Sequence, residues 1–344
     1  MKFTLLALAS LTSLALLTNC SKDNIQSAES RPILDSVING GGAKYPNKVF
    51  IDLSEGRQSG VNRASWDFGF STGSEFRVTL NSSLNMLAKA VDKTDINAVT
   101  AADTVGFSAL MVVGNAASPA ALSLIDYPDG DLTKTAIAEV SATATENKVY
   151  IVNRGSDPEG VVRKWQKIRV LRNGSGYTLQ YADISATTYS EIKVSKDADL
   201  NFTYVDLTKG AVTEVEPDKT KWDIAWTYFV NSTPLSATEY IPYGFQDFIL
   251  LNRSGVSAVQ VLNTLYTYET ITLANATSLT FSTDVRAIGS SWRSGGGPTT
   301  SPAVRTDRFY VVKDAAGTYY KVQFISLTKA GERGYPQLKF EKIK

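Results

Sequence analysis

Histidine is absent from this sequence of 344 residues, and its absence restricts the chemistry more than any residue that is present. Ser-His-Asp and Cys-His catalytic sets and histidine-ligated metal centres are excluded. General acid–base catalysis would have to rest on carboxylates, lysines or tyrosines, and no spacing selects a facing pair of carboxylates. Residues 126–131, DYPDGD, lack the spacing of a calcium loop and are predicted to form a solvated turn. The sequence therefore predicts a protein that is not an enzyme and has no dedicated metal site.

Two methionines, Met86 and Met111, have the side chains that best suit a soft metal ion. Thioether sulfur is also a known ligand of haem iron, so two methionines on either side of a variable segment can supply a bis-thioether site. Methionine more commonly fills gaps in a hydrophobic core. Met111 stands in an apolar run, residues 108–114, which predicts a buried strand and therefore a core position. Met86 follows an Asn-Ser-Ser turn, where a ligand is easier to place.

Trp292 and Arg293 stand beside a glycine-rich loop, residues 294–298, and are the best candidates for an exposed ligand contact. Exposed tryptophans stack on sugars or anchor protein interfaces. Trp165 alternates with basic residues and is a second candidate for a solvent-facing position. For Trp165 and Trp292 alike, burial in the core is the alternative interpretation.

Residues 1–19 have the layout of a secretory signal, with a charged tip followed by an apolar run that is short for a membrane span. The run ends LLTNC, and Cys20 is the only cysteine. This resembles a bacterial lipobox, in which the signal is cut before a cysteine that is then lipidated; an ordinary signal with an incidental cysteine is the alternative. Residues 20–43 are predicted to be the lipidated cysteine and a flexible tether, similar to those of surface lipoproteins in the Bacteroidota. The predicted location is the outer membrane, at the cell surface.

The composition indicates a folded protein built mainly from strands. Hydrophobic residues make up 43% and charged residues 20%, which is typical of globular chains. Tyrosine, threonine, serine and valine are plentiful, which favours strands over helices. Lysine plus arginine number 35 and aspartate plus glutamate 34, so the charge balance predicts no nucleic-acid partner.

The two halves of the chain repeat the same motifs in the same order. VFIDLSEG and TYVDLTKG precede the Trp-Asp motifs ASWDFGF and TKWDIAW; FRVTLNSS and FILLNRSG follow, and KVYIVN and RFYVVK begin a closing hairpin. This order predicts a tandem duplication, with domains at residues 44–195 and 196–344. We predict a mainly β fold of two antiparallel domains, with a short helix in the Ala-rich residues 84–113. The repeated Trp-Asp pairs are predicted to be framework rather than a site.

These motifs resemble the HmuY family of haem-binding bacterial lipoproteins. In the second half the resemblance rests on YVDLTKG, KWDIAW, FILLNRSG and the closing DRFYVVKDAAGTYYKVQFISL; the first half shows the same pattern more weakly. The resemblance implies a mainly β fold that clasps haem at one edge through two axial histidines or methionines. It also implies anchoring outside the outer membrane, cooperation with a haem-import receptor, and no enzymatic activity.

The sequence departs from the family pattern where an axial histidine would stand, because that loop reads SSWRSGGGPTTSPAV. The second half contains no histidine, methionine or cysteine, which leaves tyrosines such as Tyr240, Tyr266 and Tyr268 as iron ligands or, more commonly, as packing residues. The leading functional prediction is capture of haem or porphyrin for uptake. The alternative is a HmuY-like scaffold without haem ligation that binds a protein partner or a glycan at the cell surface.

Overall fold

The computed structural model describes residues 33–296 and 299–344, which belong to one compact unit. The predicted signal, Cys20 and the first part of the predicted tether lie outside these residues. The prediction of a flexible tether is wrong for its last part, because Ile33–Val37 form a strand that pairs with the last strand of the chain. Ile38, directly after it, is fully buried in a hydrophobic core.

The described residues form twenty strands. Their bounds are β1 Ile33–Val37, β2 Asn47–Asp52, β3 Arg57–Asn62, β4 Phe68–Ser71, β5 Val78–Leu80, β6 Leu87–Ala90, β7 Tyr150–Asn153, β8 Gln166–Asn173, β9 Gly176–Asp183, β10 Ser190–Val194, β11 Phe202–Asp206, β12 Ala211–Thr213, β13 Ile224–Pro234, β14 Tyr240–Leu251, β15 Ser257–Leu262, β16 Arg293–Ser294, β17 Ala303–Val304, β18 Arg308–Lys313, β19 Tyr319–Ser326 and β20 Gln337–Lys342.

Helical structure is short. The α-helices are α1 Phe107–Leu110 and α2 Leu273–Thr277, and 3-10 turns occur at Ser82–Leu84, Ile96–Ala98, Ala101–Thr104, Pro119–Leu124, Leu132–Lys134 and Ala144–Glu146. The predicted mainly β fold with a short helix in the first half is therefore confirmed. None of these helices has the length and apolar character that crossing a bilayer requires.

The strand predicted for residues 108–114 is wrong. The segment is helical up to Leu110 and then leaves regular structure. Gly106 and Gly114, both at positive φ, break the chain on either side, so the short run between them does not continue as a strand.

The strands form two related pairs of antiparallel sheets. The five-stranded sheets have the orders β1-β20-β19-β18-β15 and β10-β9-β8-β7-β6, and the four-stranded sheets have the orders β14-β13-β2-β3 and β12-β11-β4-β5. β16 and β17 form a separate small ribbon. Apart from β1, which precedes the first repeat, the two members of each pair are built from corresponding strands of the two sequence repeats.

The repeats exchange their first hairpins. Hairpin β2–β3 comes from the first repeat but pairs with β13 of the second, where Val49 lies opposite Trp226. Hairpin β11–β12 comes from the second repeat but pairs with β4 of the first, where Tyr204 lies opposite Gly69. Each four-stranded sheet therefore combines strands of both repeats.

Each exchanged hairpin also completes the core of its host. Val205 and Leu207 are buried in the same cluster as Phe68 and Tyr177, whereas Val49 and Ile51 are buried in the same cluster as Trp226. Side chains alternate between the faces of a strand, so Phe50 points to the other side, where it meets Trp222. The exchange is therefore held by apolar burial on both faces of the hairpin as well as by strand pairing.

Candidate functional site

The repeated Trp-Asp aspartates hold the exchanged hairpins in place. The Oδ2 atom of Asp67 accepts a hydrogen bond of 2.8 Å from the backbone N–H of Leu207. The Oδ2 atom of Asp223 accepts the corresponding bond, also 2.8 Å, from the backbone N–H of Leu53. Each aspartate thus fastens the turn of a hairpin that belongs to the other repeat, which confirms that these residues are framework.

The two aspartates differ in their electrostatic surroundings. Asp67 is fully buried, and its carboxylate accepts hydrogen bonds from Nε and Nη2 of Arg154, both at 2.9 Å. Nη1 of Arg163 also lies 2.9 Å from its Oδ1. Asp223 has no arginine or lysine within ion-pair distance among the described residues, and burial raises its pKa to about 6. The buried charge of Asp67 is therefore compensated by two arginines, whereas among the described residues no arginine or lysine compensates Asp223 at ion-pair distance.

Met86 and Met111 are both buried and lie on opposite faces of β6. Met86, 1% exposed, packs in the same cluster as Ala88, whereas Met111, 2% exposed, packs with Leu87. Successive side chains of a strand point to opposite faces, so the structure does not bring the two sulfurs together. The prediction that Met111 is a core residue is confirmed. The positions of these two thioethers therefore do not fit a haem held between two methionines.

Trp292 is buried, with 1% of its surface exposed. Its ring stacks on Phe324, with centroids 4.2 Å apart, and its Nε1 donates a hydrogen bond of 3.1 Å to the backbone oxygen of Asp247. The side chain of Arg293 is 8% exposed, and its Nε lies 4.0 Å from Oδ2 of Asp247. The prediction of an exposed contact at Trp292 and Arg293 is wrong, because stacking on Phe324 removes a large apolar ring from water.

The other aromatic candidates are scattered. Tyr268 is buried against Phe309, and burial strongly raises its pKa, which disfavours the tyrosinate that would ligate iron. Tyr266 is partly buried against the same cluster. Tyr240 is exposed at the first residue of β14. Trp165 is half-buried rather than solvent-facing.

A cleft of about 160 Å³ is lined by residues of both repeats. The sequence analysis did not predict this cleft. Its aromatic lining consists of Trp66, Tyr127, Phe202, Tyr204, Trp222 and Phe229. The edge of Trp66 meets Tyr204, with centroids 4.8 Å apart. The indole N–H groups of Trp66 and Trp222 are buried and have no hydrogen-bond partner among the described residues.

Two cations and a carboxylate share this cleft with the aromatic rings. Glu216 is buried, and its Oε1 accepts hydrogen bonds from the backbone N–H groups of Asn201, at 2.7 Å, and Phe202, at 2.8 Å. Burial raises the pKa of Glu216, and burial lowers the pKa of Lys48. The charge of each group opposes the shift of the other.

Arg253 and Asp126 complete the charged lining near the mouth of the cleft. The exposed guanidinium of Arg253 lies 5.2 Å from the ring centre of Phe202 and donates a hydrogen bond of 2.8 Å to the backbone oxygen of Gly130. Asp126 accepts hydrogen bonds from two backbone N–H groups, those of Leu80 at 2.6 Å and Ala136 at 3.0 Å. Burial raises the pKa of Asp126 to about 7.

The cleft can bind a small ligand but shows no catalytic arrangement among these groups. Asp126 and Glu216 each accept hydrogen bonds from two backbone N–H groups, and these bonds hold the wall of the cleft. No group of three or more acidic or cysteine side chains in residues 33–296 and 299–344 is arranged to hold a metal ion. The predicted turn at Pro128 and Gly130 is confirmed and forms part of the rim.

A sequence signal for the cleft existed but is weak. Lys48 stands two residues before Phe50, and Glu216 stands in a charged segment, residues 214–221, that leads to Trp222. Charged residues in such places usually face solvent, and only the exchange of hairpins brings these two side chains to one wall.

Comparison with known proteins gives one match. A family model described as "HmuY protein" matches residues 44–191 and, a second time, residues 198–340. The two matched regions cover most of the chain and coincide with the two sequence repeats. No curated protein and no solved structure matches the chain.

Proposed function

Because the chain belongs to the HmuY family, we propose that it is a non-enzymatic binding protein of the outer membrane, anchored through lipidated Cys20. It takes its ligand in the cleft between Trp66 and Trp222 and does not ligate haem iron through methionine. The observation that carries this proposal is the cleft itself, which combines an aromatic wall with the cationic side chains of Lys48 and Arg253. Such a combination is typical of small-molecule binding sites.

Capture of haem or porphyrin for an import receptor is the role that the family resemblance predicts, and its support is that resemblance. The donor set argues against axial ligation, since the chain has no histidine and its Met86 and Met111 side chains are buried on opposite faces of a strand. A glycan of the cell surface is the ligand class that the cleft favours, because sugar rings combine a face that packs on aromatic rings with hydroxyl groups that accept hydrogen bonds.

The test of iron ligation is a haem titration of residues 21–344, with absorbance read in both oxidation states. We expect no sharp low-spin spectrum. A saturable low-spin spectrum that disappears in Met86→Ala or Met111→Ala would overturn the proposal and restore haem capture.

The test of the cleft is binding to a panel of surface glycans, with the same protein and two tyrosine variants. Tyr127 is 38% exposed at the cleft and Tyr189 is 39% exposed outside its lining, so they are matched in type and exposure. We expect Tyr127→Ala to weaken binding and Tyr189→Ala to leave it unchanged. Equal effects of the two substitutions would show that the cleft is not the site.

A further inference from the structure

The polar groups of the cleft have an excess of donors. The Nζ of Lys48 forms no hydrogen bond with the described residues. It lies over the ring of Phe50, 4.8 Å from the ring centre. Arg253 uses one of its five N–H groups on Gly130. A ligand that satisfies these groups must be rich in acceptors.

The charge of the cleft favours an anion. Lys48 and Arg253 contribute two positive charges, whereas Glu216 and Asp126 contribute two carboxyl groups, of which Asp126 is partly protonated at neutral pH because burial raises its pKa to about 7. Asp126 makes the fourth charged position, and it is held by backbone N–H groups rather than by either cation. Neither cation forms an ion pair with a carboxylate of the described residues, so both are available to meet an anionic ligand.

The size of the cleft restricts the ligand to about one ring. Pockets for drug-sized ligands measure about 300–1,000 Å³, whereas this cleft measures about 160 Å³. The aromatic rings that line the cleft can pack against the apolar face of a ligand ring. A sugar ring that carries a carboxylate meets all three requirements, since it has an apolar face, several hydroxyl acceptors and one negative charge.

We propose that the cleft binds an acidic sugar residue of the uronic-acid type, with its carboxylate between Lys48 and Arg253 and its ring on the aromatic wall. This names the ligand class of the site given under Proposed function and rests on that proposal. Glu216 then acts as a positioning residue, because it holds the backbone of Asn201 and Phe202 in the wall of the cleft.

The test compares methyl glucuronide with methyl glucoside, which differ in the carboxylate, by titration of residues 21–344 monitored by NMR and tryptophan fluorescence. Arg253→Gln removes one charge at an exposed position, and Arg305→Gln is the matched control at an exposed arginine outside the cleft lining. We expect the glucuronide to bind and the glucoside to bind at least tenfold more weakly. Arg253→Gln should weaken glucuronide binding about tenfold, the effect of one charge-assisted hydrogen bond, and Arg305→Gln should leave it unchanged.

Two results would overturn this inference. Equal binding of the two sugars would show that the cations do not select the ligand, although the cleft would remain a binding site. No binding of either sugar would exclude the acidic sugar. The haem titration is a separate experiment. It tests whether the protein ligates iron, whereas the sugar titration tests which class of ligand the cleft binds. Lys48→Gln provides a second variant, with the same direction of effect expected.

Discussion

The sharpest prediction concerns the two Trp-Asp aspartates, which occupy equivalent positions and should respond oppositely to the same substitution. Asp67 and Asp223 each accept a backbone hydrogen bond of 2.8 Å from an exchanged hairpin. Arg154 follows strand β7 beside Asp67, whereas Asp314 follows the corresponding strand β18 near Asp223. Replacement by asparagine removes the charge and keeps an oxygen that accepts the backbone bond.

For Asp223, the substitution should stabilise the protein at high pH. The pKa of Asp223 rises from 3.8 to about 6, mainly through burial and further through Asp314 and Asp52. Its folded-state pKa is the higher one, so its contribution to stability is complete below pH 3.8 and is lost as the pH rises through about 6. A difference of about two units corresponds to about 3 kcal/mol at about 1.4 kcal/mol per unit. Asp223→Asn should recover up to this amount at pH 8 and little at pH 4.

For Asp67, the same substitution should destabilise the protein by about 3–5 kcal/mol, because it leaves Arg154 and Arg163 as buried charges without their partner. The assay is urea unfolding followed by tryptophan fluorescence at several pH values, with wild type and both variants. Asp126 and Glu216 add pH dependence of the same sign, so the relevant quantity is the difference between Asp223→Asn and wild type. The reasoning is refuted if Asp223→Asn loses stability at pH 8, or if Asp67→Asn gains it.

Three further predictions follow from the exchange, the cleft and the core. Residues 64–219 hold strands β4–β12 with a shared core, so this fragment should fold as a monomer, whereas the sequence repeat 44–195 should not. Circular dichroism and size-exclusion chromatography would test both fragments. A folded monomer of residues 44–195 would contradict the exchange. Because Asp126 has a pKa of about 7, affinity for methyl glucuronide should fall between about pH 6 and pH 8, and Asp126→Asn should flatten this dependence in the same titration. Trp292→Ala should cost about 3–5 kcal/mol in urea unfolding, more than Trp165→Ala, since only Trp292 is fully buried; equal costs would argue against the stack.

The sequence motifs predicted much of the framework correctly. Alternating strands, glycine turns and two copies of Trp-Asp indicate a duplicated antiparallel fold, because these signals depend on local periodicity and turn chemistry. The prediction that Asp67 and Asp223 hydrogen-bond backbone groups also follows from local rules. The prediction for Trp292 failed because a glycine-rich neighbourhood suggests exposure, while the stacking partner Phe324 is distant in the chain.

Composition and order along the chain thus determined what this protein cannot do and how its strands are built. The absence of histidine excluded whole classes of catalysis and ligation, and the repeat predicted the family. Only the tertiary structure decided which repeat each hairpin joins, since both hosts present equivalent strands and local pattern does not distinguish them. That choice brings Lys48 and Glu216 to one wall, because contacts between residues far apart in sequence depend on how the sheets are assembled.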